Sequence, residues 1–103
     1  MSGVIILLDN VGSLSGVDIT GEFKIWFGGP GQFWVWGDLA GGQVDLHAAL
    51  DENAPAIICG STIIGTSPTS AAVFTFDLNH GTKIRAVVTL TTGTSSGIFV
   101  KAN

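Results

Sequence analysis

Short segments in which apolar and polar residues alternate recur along the whole chain, and turns rich in Gly, Asn, Asp or Ser separate them. Alternation with a period of two is typical of β-strands, and no window shows convincing helical spacing of apolar residues. This spacing predicts an all-β sandwich or barrel, and we expect an antiparallel β-sandwich of jelly-roll type with about eight short strands. The segments predicted as strands are 4–8, 11–15, 22–27, 32–39, 43–50, 56–64, 72–78, 83–91 and 97–102.

The most strongly patterned stretch, residues 31–47, is predicted to form one β-hairpin. Two alternating runs flank Ala40-Gly41-Gly42, where paired glycines accept the positive φ angles of a short turn. The first run is apolar on both faces, because Phe33 begins an apolar set on one side while Trp34 and Trp36 occupy the other. A sheet with one face in water does not ordinarily carry two tryptophans on that face. We therefore expect another part of the protein or a partner to cover them.

A third tryptophan is predicted to join this pair. If strand 22–27 pairs antiparallel with strand 32–39 through a glycine-rich turn, then Trp26, Trp34 and Trp36 lie on a common face. Three interpretations are open: a second core face inside the sandwich, an interface between subunits, or a platform on which sugar rings stack. Sugar sites also need several polar side chains beside the rings, and the sequence offers few candidates: Lys24, Asp38 and His47.

The composition indicates a single domain with surplus apolar surface. Of the 103 residues, 46% are hydrophobic and 12% charged, and the charged share is about half that of an average globular protein. We expect residues 1–103 to form one sandwich, with residues 1–10 as a candidate assembly arm. No apolar run approaches the roughly 20 residues of a spanning helix, and Val4–Leu8 lacks the flanks of a signal peptide. The surplus surface is therefore expected to be buried between subunits, with no membrane as partner.

Charge and cysteine content restrict the partners further. The net charge is −4, and the four basic residues form no cluster that would neutralise phosphates, so nucleic acid is not expected as a partner. Cys59 is the single cysteine and has no intramolecular disulfide partner. This composition is typical of synthesis in a reducing cytoplasm.

Candidate catalytic residues are few, and none belongs to a recognised pattern. Cys59 lies in an apolar strand, where a free cysteine is ordinarily a small buried hydrophobe. His47 and His80 lack metal-ligand spacing to each other or to Cys59, and the acidic run 51–53 is too short for a calcium loop. We therefore expect no catalytic residue, no metal and no cofactor, and a protein that is not an enzyme.

Five short motifs follow one another over roughly residues 30 to 102. They are Gly31-Gln32-Phe33-Trp34-Val35-Trp36-Gly37, Gly41-Gly42, Val44-Asp45-Leu46, Ile84-Arg85-Ala86 and Ser96-Gly97-Ile98-Phe99-Val100-Lys101-Ala102. On these motifs the chain resembles the short, glycine-rich β proteins encoded in the structural modules of tailed bacteriophages. The first 27 residues, with a longer apolar segment, depart from the pattern of that group.

The resemblance implies a structural protein of the virion. It implies a capsid decoration or cement protein that stabilises the head shell through subunit contacts and is made in the cytoplasm of the host bacterium. Such a protein is expected to form a homo-oligomer, with a trimer favoured, and to bind the major capsid protein or another virion protein.

The contacts are expected to involve the tryptophans and the apolar N-terminal run. The residues expected to make them are Trp26, Trp34 and Trp36, followed by Val4, Ile5 and Ile6. The run Val4–Leu8 would add a strand to the sheet edge of a neighbour, so its deletion is expected to weaken assembly more than the fold. The alternative function is a carbohydrate-binding module of a phage fibre or tail that uses the same tryptophans.

Overall fold

The computed structural model describes residues 3–14, 16–51, 53–61, 71–89 and 91–103. Within these ranges the chain forms antiparallel strands and no helix, and so no helix that could cross a membrane. The all-β prediction is confirmed. The nine strands are β1 (Ile5–Ser13), β2 (Ile19–Thr20), β3 (Lys24–Ile25), β4 (Gly29–Asp38), β5 (Gln43–Ala49), β6 (Ile57–Ser61), β7 (Ala71–Leu78), β8 (Lys83–Thr89) and β9 (Ser95–Ala102).

The strands form two sheets packed face to face. Sheet A has the order β1-β9-β4-β7, and sheet B has the order β2-β8-β5-β6. Strand β3 also pairs with β8, so β2 and β3 occupy the same place in the strand order, beside different parts of β8. Counted in this way, eight strand positions follow the order of two Greek keys, which is the jelly-roll arrangement. The predicted β-sandwich of jelly-roll type is therefore confirmed.

Most predicted strand segments correspond to observed strands, but several boundaries differ. Segments 4–8 and 11–15 belong to the single strand β1, in which Asn10 adopts a φ of 51° and the register with β9 shifts. The turn predicted there is thus an irregularity within a strand. The predicted segments also include positions 15, 62–64 and 90, which lie outside the described residues.

The core lies between the two sheets and follows the alternation along each strand. Inward side chains such as Phe33 of sheet A and Leu46 of sheet B are fully buried, and their sequence neighbours face outward. Burying an apolar side chain of this size contributes roughly 1.5–3 kcal/mol relative to exposing it. Other fully buried core residues are Val35, Val44, Ile84, Val88, Ile98 and Val100.

The predicted hairpin of residues 31–47 is wrong. Strand β4 pairs with β7 and β9 in sheet A, whereas β5 pairs with β6 and β8 in sheet B. Ala40 and Gly41 have φ angles of 50° and 78° and carry the chain from one sheet to the other. The backbone N–H of Thr92 donates to the Ala40 carbonyl at 2.8 Å and fixes this crossing. The turn residues were recognised correctly, but they connect two sheets.

The predicted pairing of strand 22–27 with strand 32–39 is also wrong. Strand β3 comprises only Lys24 and Ile25 and pairs with β8 in sheet B. The next residue, Trp26, forms two backbone hydrogen bonds with the turn between β7 and β8. Its N–H donates to the Thr82 carbonyl at 2.8 Å, and its carbonyl accepts from the N–H of Gly81 at 2.9 Å. Its side chain is 0% exposed. Trp26 is therefore a core residue where the chain leaves sheet B.

The N-terminal run is part of sheet A. Ile5 and Ile6 pair with Ala102 and Lys101 of β9 in the same chain, and the side chains of Leu7 and Leu8 are buried in the core. These contacts do not support the prediction of an arm that serves assembly more than the fold. The run instead supplies an edge strand and two core side chains.

Candidate binding surface

The outward side chains of sheet A form a continuous apolar and aromatic surface. The strand register aligns one outward residue from each of the four strands in a row, and three more residues form the next row. We call these seven residues the outer aromatic face. The first row is Ile6, Lys101, Trp34 and Val73, and the second is Phe99, Trp36 and Ala71.

The first row is substantially exposed across the full width of the sheet. Ile6 is 46% exposed, Trp34 37% and Val73 47%. Single exposed apolar side chains are ordinary on protein surfaces, but a contiguous row rimmed by polar residues marks an interaction site. The outer aromatic face is therefore the strongest candidate binding surface among the described residues.

The second row is held in place by ring contacts. The rings of Trp36 and Phe99 stack with their centroids 5.2 Å apart and their planes 12° apart. The Lys101 Nζ lies 5.5 Å from the centroid of the Trp36 ring, within the range of a cation–π interaction. The two rings are thus nearly parallel to each other, and one positive charge lies over the Trp36 ring.

Trp34 is oriented by a polar neighbour. Its Nε1–H donates to Oε1 of Gln32 at 3.1 Å, which directs the indole toward the preceding part of β4. A cavity of about 420 Å³ lies beside Gln32, and Thr75 and Asn103 contribute to its lining. Aromatic surface and hydrogen-bonding groups are thus adjacent on this side of sheet A.

The residues predicted for the contact surface are distributed over three environments. Trp34, Trp36 and Ile6 lie on the outer aromatic face, whereas Ile5 packs against the core and Val4 is 62% exposed just before β1.

The predicted common face of three tryptophans is wrong for Trp26. The Trp26 ring contacts Phe27 and Phe76 at centroid distances of 4.1 and 4.7 Å, and its Nε1–H donates to the Gly29 carbonyl at 3.1 Å. A Cβ added to Gly31 would lie 2.5 Å from the Trp26 ring, so the glycine makes room for the indole. Trp26 is thus enclosed by core residues.

The polar residues expected beside the rings lie elsewhere. Lys24 and His47 belong to sheet B, and Asp38 Oδ1 accepts a hydrogen bond from the backbone N–H of Ala40 at 2.9 Å. Seven contributors to the surface or its rim were not predicted: Gln32, Ala71, Val73, Thr75, Phe99, Lys101 and Asn103. Alternation in β7 and β9 could have placed Val73 and Phe99 on outward faces, but which strands flank β4 is a non-local property.

The environment of Cys59 does not favour a reactive thiol. The Cys59 thiol donates to the Leu46 carbonyl at 3.3 Å, and burial raises the pKa of this thiol. Because the thiolate is the nucleophile, a raised pKa lowers its reactivity at neutral pH. His80 lies in the exposed turn between β7 and β8, and His47 lies on sheet B. No metal-binding group of three or more side chains occurs in the described part of the chain.

Comparisons with known proteins define the fold. No protein-family model matches the chain, and no curated protein matches its sequence. Among solved structures, the CBM36-1 domain of a multidomain xylanase from the hindgut metagenome of Trinervitermes trinervoides superposes with a TM-score of 0.53. It is 12% identical, over 97% of this chain and 94% of that chain.

Two other structural neighbours come from assemblies. A chain of the Bacillus endospore appendages, which are disulfide-linked pili, has a TM-score of 0.51 at 14% identity, over 96% of this chain and 84% of that chain. A chain of infectious bursal disease virus, Gt strain, has a TM-score of 0.51 at 12% identity, over 97% of this chain and 30% of that chain. At these identities the similarity is one of fold: an antiparallel β-sandwich found in appendage, viral and carbohydrate-binding proteins.

Proposed function

We propose that the protein is a non-enzymatic structural protein of a bacteriophage virion, a decoration or cement protein of the head shell. In this proposal it assembles as a homotrimer and contacts the major capsid protein or another virion protein through the outer aromatic face. It is made in the cytoplasm of the host bacterium and then incorporated into the virion.

The exposed row of Ile6, Trp34 and Val73 is the observation that carries this proposal. Apolar area removed from water contributes roughly 25 cal/mol per Å², and aromatic residues are enriched at the energetic centres of interfaces. The stacked Trp36 and Phe99 extend the row, and Lys101 supplies a charged group. A protein partner would cover all of these residues together.

The non-enzymatic part of the proposal is supported by the chemistry of the individual side chains. The thiol of Cys59 has a raised pKa and is engaged with a backbone carbonyl. His47 and His80 lie on different elements of the structure. The compact fold with one free cysteine also suits a subunit that is made reduced and assembled later.

We expect the Trp34→Ser variant to assemble much more weakly than the wild type. Removing a central aromatic residue from an interface costs about 2 kcal/mol or more, which raises the dissociation constant by about thirtyfold or more. Light scattering over a concentration series measures this change, starting from the monomer mass of 10.6 kDa. Leu14→Ser is the matched control, because Leu14 is 72% exposed but lies outside the outer aromatic face.

The mass of the wild type decides whether self-association occurs. A wild-type mass of three times the monomer, reduced in Trp34→Ser and retained in Leu14→Ser, is the expected result. A wild type that stays monomeric at high concentration contradicts the homotrimer. An equal reduction of mass in both variants contradicts the assignment of the surface.

The second candidate function is carbohydrate binding, and one observation favours it. The indole of Trp34 is hydrogen-bonded to Gln32, and Gln32 lines a cavity together with Thr75 and Asn103. Trp36 follows two residues along the strand, at a spacing of about 6.8 Å, so rings and polar groups succeed one another along β4. This arrangement suits a saccharide with one apolar ring face and several hydroxyl groups.

The same proteins separate the two candidates. Tryptophan fluorescence of the wild type, Trp34→Ser and Leu14→Ser is recorded during titration with oligomers of glucose, galactose and N-acetylglucosamine. A saturable change in the wild type and Leu14→Ser that is absent in Trp34→Ser supports the carbohydrate function. No change with any of these saccharides, together with a multimeric mass, supports the structural function.

A further inference from the structure

A polar cluster lies on the outer face of sheet B, on the opposite side of the molecule's core from the outer aromatic face. His47 of β5 and Arg85 of β8 are direct register partners. Both side chains face outward, because their sequence neighbours Leu46, Ile84 and Ala86 point into the core. Directly opposed side chains on neighbouring strands have Cβ atoms about 4.5–5.5 Å apart. The two side chains are therefore close enough to interact.

Within the described part of the chain, each partner has one buried polar atom without a hydrogen bond. These atoms are Nδ1 of His47 and Nε of Arg85. Unpaired buried polar groups are uncommon in folded proteins and costly. The two atoms are chemically complementary, since an unprotonated imidazole nitrogen accepts a hydrogen bond and the Arg Nε–H always donates one.

The guanidinium of Arg85 is held in this position by an aromatic ring. Its Cζ lies 4.4 Å from the centroid of the Phe23 ring, within the range of a cation–π interaction. Because this contact fixes Arg85, its charge stays beside His47 when the imidazole titrates. The cluster thus combines a fixed cation with a titratable neighbour.

We propose that His47 and Arg85 form an acid-sensitive latch on the outer face of sheet B. While His47 is neutral, its imidazole and the guanidinium of Arg85 lie side by side on the sheet without charge repulsion. When His47 takes up a proton, Nδ1 becomes a donor, and two donors and two cations lie side by side. The latch then opens and weakens the pairing of β8 with β5 in sheet B. This inference concerns the opposite sheet and is independent of the proposed function.

The other charged groups around His47 come from identifiable elements. On β5, Asp45 is 4% exposed and accepts a hydrogen bond from Nε2 of Gln43 at 2.9 Å. On β8, the next outward residue after Arg85 is Lys83, opposite Ala49. The titratable side chain of strand β6 is Cys59, which packs against the core and donates to the Leu46 carbonyl. Beside β3, the exposed Glu22 forms an ion pair with Lys24 at 3.6 Å. Residues 62–70 contain no ionisable side chain.

The direction of the pH effect follows from these surroundings. Burial, and then the charge of Arg85, lower the pKa of His47, while Asp45 acts in the opposite direction. An unfolded chain therefore binds a proton at His47 more readily than the folded one, starting near the ordinary histidine pKa of about 6.5. The stability contribution of neutral His47 is complete above that pH and is lost as the pH falls toward the lowered pKa.

We expect the wild type to melt several degrees lower at about pH 5.5 than at about pH 7.5. The His47→Gln variant carries a neutral amide that cannot take up a proton, so most of this decrease in melting temperature is expected to disappear. His80→Gln is the matched control, because it removes the other histidine from an exposed turn and should keep the wild-type decrease. Thermal unfolding by circular dichroism at a series of pH values measures these slopes.

Titration of the imidazole by NMR keeps the test decisive if a variant fails to fold. In the wild type, His47 is expected to titrate below pH 6.5. In Arg85→Met, which removes the neighbouring charge but keeps an apolar stem, its midpoint is expected to move upward. Parallel melting curves for His47→Gln and the wild type, or a His47 midpoint at or above that of free histidine, would overturn the latch.

Discussion

The Trp26→Ala variant is expected to lose about 3–5 kcal/mol of its free energy of unfolding, the range measured for large aromatic residues in protein cores. Trp26 is fully enclosed, contacts Phe27 and Phe76, and is fitted against Gly31. The same change at Trp34, which is 37% exposed, is expected to cost about 0.5 kcal/mol. Urea denaturation of both variants, followed by circular dichroism, measures the difference.

The pair of variants separates core from surface with one residue type. A much larger loss for Trp26→Ala than for Trp34→Ala is the predicted outcome. Equal losses would contradict the assignment of Trp26 to the core and of Trp34 to the outer aromatic face. The result is independent of any partner, because it concerns the folded chain alone.

Deletion of residues 1–8 is expected to abolish cooperative unfolding. The deletion removes half of β1, including its pairing with β9 and the buried side chains of Leu7 and Leu8. Truncating a buried leucine to alanine alone costs about 2–5 kcal/mol, and marginally stable domains hold only about 5–15 kcal/mol in total. Thermal melting by circular dichroism tests the prediction.

A shorter deletion provides the control for this experiment. Removal of residues 1–4 leaves β1 intact, since Ile5 begins the strand and Val4 is 62% exposed. This variant should melt close to the full chain. If the chain lacking residues 1–8 melts like the full chain but has lost mass in solution, the segment serves assembly, as the sequence alone suggested.

The strands and the fold class could be predicted from the sequence better than the pairing of the strands within the sheets. Alternation in β4 assigned inward and outward residues correctly, because that pattern is local. The connection at residues 40–42 was misassigned because the same turn residues suit a hairpin and a crossing between sheets. Pairing between β4 and β9, over 50 residues apart, has no local signature.

The residues of the candidate surface were likewise predicted where the pattern is local and missed where it depends on strand pairing. Trp34 and Trp36 were placed on one face by their spacing of two residues, and the structure agrees. Trp26 was placed on the wrong face because strand β3 ends at Ile25. The alternation of inward and outward side chains stops there, and the Trp26 side chain lies in the core. Phe99 and Lys101 join the surface through β9, and Ile6 joins it through β1, at the two ends of the chain.

The most direct test of the outer aromatic face is hydroxyl-radical footprinting read by mass spectrometry, with the dilute free protein compared with the assembled or saccharide-bound protein. In the free protein, Trp34 should be readily oxidised and Trp26 protected, as their exposures of 37% and 0% require. On assembly or saccharide binding, Trp34 should become protected, while the exposed Leu14 keeps its reactivity. If Trp34 is oxidised equally in the free and bound protein, the outer aromatic face is not the contact surface and the account is contradicted.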